Sequence, residues 1–73
     1  MILAMSNYEF PANEVRPLRK SLKMTQVEFA EYLGVTQGLI SQWEQGQRTP
    51  NGPAAKLLTL LQRGVRLQTE IVA

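Results

Sequence analysis

The chain contains no cysteine, no histidine and no aspartate. Without cysteine there are no disulfides and no thiolate metal ligands, and without histidine the commonest general base and metal ligand are both missing. The acids are all glutamates, Glu9, Glu14, Glu28, Glu31, Glu44 and Glu70, too scattered along the sequence to suggest an acid–base pair. Enzyme chemistry is therefore not expected, nor is a cofactor or a metal ion. Long apolar runs are lacking as well. The opening stretch Met1 to Met5 is too short for a signal-peptide core or a membrane span and has no basic leader, so a cytoplasmic protein is expected.

What remains is short and mildly basic. Seventy-three residues permit one domain, which buries too little apolar surface to be very stable without good helix packing or a partner. A net charge of +2 with a pI near 9.4 is by itself a weak pointer to a polyanion. Its distribution says more. Arg16, Arg19, Lys20 and Lys23 fall in one acid-free segment, and Arg48, Lys56, Arg63 and Arg66 in another, while Glu28, Glu31 and Glu44 lie between them. Two such flanks suit phosphates on either side of a groove; the plainer alternative is a set of solvated helix faces.

The segment between them, Met24 to Glu44, organises the chain. Thr25 followed three residues later by Glu28 forms a capping-box pattern, which marks a helix start. Val27, Phe29, Ala30 and Leu33 then recur at helical spacing until Gly34 supplies a residue tolerant of positive φ. Only Val35 separates this glycine from a second N-cap candidate, Thr36, which opens a further helix with Ile40 and Trp43 on its inner side. So short a corner makes the two helices cross closely, and Ala30 is small enough to stand at the crossing. A wheel of about 100° per residue turns Gly38, Ser41, Gln42 and Gln45 outward, with Gln37 at the flank. An outer face of amides is suited to base edges, because glutamine both donates to and accepts from adenine. Leu39 falls at the rim, where it either packs or touches a thymine methyl. Gln26, first after its cap, lies where helix amides favour anionic oxygens and is assigned to phosphate.

On either side, a first helix is expected from Asn13 or Glu14 to about Leu22, with Val15, Leu18 and Leu22 inward and Pro17 tolerable only in its first turn. Tyr8 and Phe10 are expected to lie on the helical body as a lid. After Gly46 the segment QRTPNGP is turn-rich, and Gly52 with Pro53 begins a fourth helix reaching about Arg63. Its inner face is expected to carry Ala54, Leu57, Leu58 and Leu61, with Leu60 off that face and Gly64 ending the helix. The domain thus spans 13–64, between an N-terminal extension, 1–12, and a tail, 65–73. Val65, Leu67 and Ile71 alternate as a strand would, while the length of the tail also suits a fifth helix. With Leu60, these three are read as a dimer contact, the alternative being that they close the monomer's own core.

The pattern TQxEFAxxLGVTQxxISxWExG, set by Gln26, Phe29, Ala30, Leu33, Gly34, Val35, Thr36, Gln37, Ile40, Ser41, Trp43, Glu44 and Gly46, resembles the helix-turn-helix of the Cro and phage-repressor type, also called the xenobiotic-response-element type. Residues 14 to 63 match its usual layout, about two thirds of the chain. The resemblance implies an all-α, compact four- to five-helix lambda-repressor-like domain. It implies base reading by Gln37, Gly38, Ser41 and Gln42, and an ion pair of Arg19 with Glu44 locking the first helix to the third. It agrees with phosphate binding at Gln26 and extends it to the loop carrying Gln47, Arg48 and Asn51; Lys23 belongs to the same set through the first basic segment. The expected function is a sequence-specific double-stranded DNA-binding transcriptional regulator, a homodimeric repressor on an inverted repeat. The stretch WEQGQRTPNGPAAKLLTLLQR is also similar to HigA-type antitoxins, which implies a toxin protein as the alternative partner.

Overall fold

A computed structural model describes residues 8–67. Four helices make up its body: α1 Val15–Ser21, α2 Gln26–Leu33, α3 Gln37–Glu44 and α4 Gly52–Gln62. A single 3-10 turn, Ala12–Glu14, leads into α1, and Pro17 stands within the first turn of that helix, where a missing amide is harmless. Among the described residues there is no strand and no helix long and apolar enough to cross a membrane.

Local chemistry accounts for each boundary of the central pair. The Glu28 amide donates to Thr25 Oγ1 at 3.1 Å and the Thr25 amide to Glu28 Oε1 at 2.9 Å, a reciprocal cap on α2. Gly34 ends it in the left-handed region at φ 79°, and its amide and that of Val35 both donate to the Ala30 carbonyl. Two residues later Thr36 Oγ1 accepts from the Leu39 amide and starts α3. Ala30, read as the small residue at the crossing, is buried, 4% exposed.

Phe29, Ile40 and Trp43 from α2 and α3 meet Val15 and Leu18 from α1 and Ala55, Leu58 and Leu61 from α4 in one core. Phe10 completes it, 2% exposed. It belongs to the core itself and is more than a lid, because the chain before α1 is fastened to the segment before α4. The Phe10 amide donates to the Pro50 carbonyl, the Gly52 amide donates to the Tyr8 carbonyl, and Glu9 and Asn51 pair antiparallel. Tyr8 adds a hydrogen bond from its hydroxyl to Thr59 Oγ1 at 3.0 Å, with Lys56 Nζ 5.6 Å from its ring centre.

Two expectations are corrected. The inner face of α4 is Ala55, Leu58 and Leu61, whereas Ala54 and Leu57 are half-buried beside it. Asn51 and the buried Gly52, held at the Tyr8–Phe10 segment, set the rotation of α4, so Leu58 and Leu61 are buried as expected while Ala55 takes the place read for Ala54 and Leu57 moves to the margin. Ala54 and Leu57 instead line a shallow apolar depression with Leu33, Val35, Trp43 and Pro53. Val27 is 48% exposed, as its place about 200° around the helix from Phe29 requires.

All four helices end on a residue in the left-handed region whose amide and the next fold back on the helix, onto two carbonyls in α1, α3 and α4 and onto the Ala30 carbonyl alone in α2. Three use a glycine at the left-handed position, Gly34, Gly46 and Gly64, and the fourth uses Lys23, at φ 60°. There the Lys23 amide donates to the Lys20 carbonyl and the Met24 amide to the Arg19 carbonyl. A residue with a Cβ costs about 1–2 kcal/mol in this region, and glycine loses about 0.5–1 kcal/mol more backbone entropy on folding. Lys23→Gly is therefore expected to stabilise the domain by up to about 1 kcal/mol, raising its thermal midpoint by roughly 4–8 °C per kcal/mol. Thermal unfolding followed by circular dichroism measures this, and an unchanged or lower midpoint would contradict it.

Candidate nucleic-acid interface

α3 presents Gln37 and Gly38 exposed at its N-terminal end, with Ser41 and Gln42 half-buried one turn further on. A methyl group added at Gly38 would meet only Thr36 Oγ1, at 3.9 Å, so this point of the helix is open to a close approach. Leu39 is half-buried against the core. The polar side chains are ordered by contacts with one another. Gln45 donates to Ser41 Oγ at 2.9 Å, and Gln47 donates to Gln45 Oε1 at 3.0 Å.

The inner end of the site is a buried carboxylate. The Glu44 side chain has no exposed surface, and Arg19 reaches it from α1 with two bonds, Nε to Oε2 at 2.6 Å and Nη2 to Oε1 at 3.1 Å. This fork is the geometry for which guanidinium and carboxylate are matched. Arg19 also donates from Nη1 to the Met24 carbonyl, so one side chain fastens α1, the connection to α2 and the end of α3. Arg16 Nε and Gln26 Nε2 each add a bond to Glu44 Oε1 at 3.1 Å. Burial by itself disfavours the Glu44 charge, but hydrogen bonds from Arg19, Gln26 and Arg16 and the Arg19 charge outweigh it, holding the carboxyl below its ordinary value of 4.5.

The remaining positions read as phosphate ligands are spread around this helix. Lys23, at the end of α1, is exposed, as are Gln47, Arg48 and Asn51 in the connection from α3 to α4. Arg48 and Asn51 border an open cavity of about 400 Å³ together with Glu9, Leu39, Trp43, Thr49 and Ala54. Glu9 brings a carboxylate to the same cavity as Arg48, a feature that its distance in sequence concealed. Gln26 is only half exposed, bonded to Glu44 on one side and to Gln37 on the other. Arg16, grouped by sequence with the free cations, spends its Nε on Glu44 although its side chain is 55% exposed. The three-residue spacing of Arg16 and Arg19, which places them on one helix face, is the signal that could have paired them.

Of the positions read as a dimer contact, Leu60 is half-buried, Val65 is 47% exposed, and Ile71 lies outside the described residues. Leu67 packs on the core, where its amide donates to the Tyr32 hydroxyl at 2.8 Å.

An amide-lined helix is thus held by a capped neighbour, a tight corner and a buried ion pair. The sequence model of the family described as helix-turn-helix matches residues 15–60, which takes in α1 to α3 and most of α4. The chain belongs to this family, in its Cro and phage-repressor branch, and is a DNA-binding helix-turn-helix protein. A relative is antitoxin HigA-2 of Vibrio cholerae serotype O1, 37% identical over 51 residues. The match covers 70% of this chain and 49% of the relative, so the chain spans about half of that protein's length.

The Glu44 geometry sets a pH dependence. A carboxyl whose value is lower in the folded than in the unfolded state contributes stability that is complete above the unfolded value. That contribution is lost as the pH falls through the folded value. The urea midpoint is therefore expected to fall as the pH drops below about 4.5, with less of that loss in Glu44→Gln, which starts from lower stability. Removing a partner from such a pair costs about 3–5 kcal/mol. Parallel pH profiles for the two proteins would refute this assignment.

Proposed function

We propose that the chain is a sequence-specific transcriptional regulator, a homodimeric repressor that inserts α3 into the major groove of double-stranded DNA. The observation that carries this reading is the exposure of Gln37 and Gly38, with Ser41 and Gln42 half-buried one turn on, along a helix whose inner side is fixed by Ile40, Trp43 and Glu44. Gln37 and Gln42 bring side-chain amides to the base edges, Ser41 a hydroxyl, and Gly38 allows the helix to lie close. Lys23, Gln26, Gln47, Arg48 and Asn51 serve the phosphates, with Gln26 doing so from the N-terminus of α2.

One eight-residue helix reads few base pairs. Two copies about one helical turn apart on an inverted repeat supply useful specificity. The dimer contact is assigned to the apolar residues at and beyond the end of α4, Leu60, Val65, Leu67 and Ile71 within the tail 65–73. Residues 13–64 form the DNA-binding unit and 1–12 an extension whose last residues fasten to it.

The similarity to antitoxin HigA-2 favours a second reading, in which the chain also captures a toxin protein and represses the operon encoding both. Expressing each reading frame beside the gene tests this: growth arrest by one of them, relieved when this chain is co-expressed, supports an antitoxin. Without any arrest, the stand-alone regulator remains.

Selection from a random duplex pool is expected to return a palindromic consensus, and sedimentation a two-chain mass. Gln37→Ala and Gln42→Ala should each relax discrimination at one base pair per half-site by about 1–3 kcal/mol. Arg48→Ala should weaken all sequences alike and reduce the slope of log K against log salt by about 1 per subunit. Folded glutamine variants that discriminate as well as wild type would remove the base-reading assignment.

A further inference from the structure

A carboxylate can only accept hydrogen bonds, and that of Glu44 is wholly enclosed. Whatever Gln26 points at it must be the amide nitrogen, and Nε2 is indeed 3.1 Å from Glu44 Oε1. The orientation of the Gln26 amide is thereby decided, and its Oε1 faces away from Glu44, toward Gln37. Gln37 Nε2 donates to that oxygen at 3.3 Å. The same rule now acts a second time. Gln37 spends one N–H inward, leaving its Oε1 and its other N–H without a bond to any described residue. A free acceptor and a free donor on one primary amide are the complement of the N6 amino group and N7 of adenine in the major groove.

We infer that Glu44 is a specificity-positioning residue, acting through Gln26 to fix the polarity of the Gln37 amide so that its adenine-complementary edge is the free one. A terminal amide otherwise turns over readily, since the torsion that carries it is broad and roughly two-fold. Turned over, Gln37 would offer its donor and acceptor in the reverse order. The buried ion pair therefore does two things: Arg19 holds the carboxylate in place, and the carboxylate sets an amide two side chains away. Gln26 serves as the link between the core and the reading edge. The inference rests on the DNA-reading assignment of Gln37 made above.

The test compares wild type, Gln26→Met, Gln37→Ala and Glu44→Gln on duplexes that vary every base of the selected site. Gln26→Met keeps approximate length and leaves the Arg19–Glu44 pair intact, so it remains informative where Glu44→Gln fails to fold. Wild type is expected to prefer adenine at one position per half-site by roughly 5–100-fold. In Gln26→Met that preference should fall at least about fivefold or to near parity, as it does in Gln37→Ala, with the preferences at other positions unchanged; loss of the Gln26 phosphate contact lowers affinity for all sequences together and leaves this ratio unaffected. Side-chain amide NMR of the free protein gives a second readout, with the Gln37 amide protons protected in wild type and unprotected in Gln26→Met. A Gln26→Met protein that keeps the adenine preference, or weakens every sequence equally, overturns the relay while the DNA-reading assignment stands. Absence of any base preference in wild type overturns both.

Discussion

The arrangement depends on one enclosed carboxylate. Glu44 is the last residue of α3, and leaving its charge inside without partners would be costly. Arg19 from α1, Arg16 beside it and Gln26 from the start of α2 therefore converge on it. Three elements distant in sequence are brought to one point by the need to satisfy a single charged group. A buried pair of this kind need not add net stability over an apolar substitute, but it accepts only one geometry. In a domain this small, that selectivity orients α3 more sharply than the core alone, whose aliphatic contacts tolerate rotation and sliding.

The helix ends do related work by local means. Each helix stops on a residue in the left-handed region whose following amides fold back on the last carbonyls. The corner between α2 and α3 is short because Gly34 ends one helix and Thr36 caps the next with a single residue between them. Ala30 then allows close crossing. The chemistry that positions α3 thus lies largely outside its exposed face: in a cap, a glycine, a small residue and an ion pair. The exposed face itself is left free to carry amides and a hydroxyl.

Much of this was legible in the sequence because it is governed by short-range rules. The capping box at Thr25 and Glu28, the stop at Gly34, the inward phase of Ile40 and Trp43, and the outward phase of Gly38 all follow from neighbours within one or two turns. The rotation of α4 was not legible. Ala55 and Ala54 are equivalent by composition and adjacent in phase, and the choice between them is made by the pairing of Asn51 and Gly52 with Tyr8 and Glu9, more than forty residues away. The role of Phe10 escaped for the same reason: a lone aromatic before a proline has no periodicity to mark it as core.

The sequence alone determined the four helices, the start and stop of α2, the start of α3 and its inner side, because backbone capping and helical periodicity are local properties. Only the tertiary structure decided what the polar side chains do. Gln26 and Arg16 carry the same chemistry whether they face solvent or a carboxylate, and nothing nearby in the sequence distinguishes the two. Packing α1, α2 and α3 around Glu44 tied both to that carboxylate and left Gln37 as the end of a hydrogen-bonded chain. That outcome is a matter of three-dimensional convergence on a buried charge, which no one-dimensional spacing encodes.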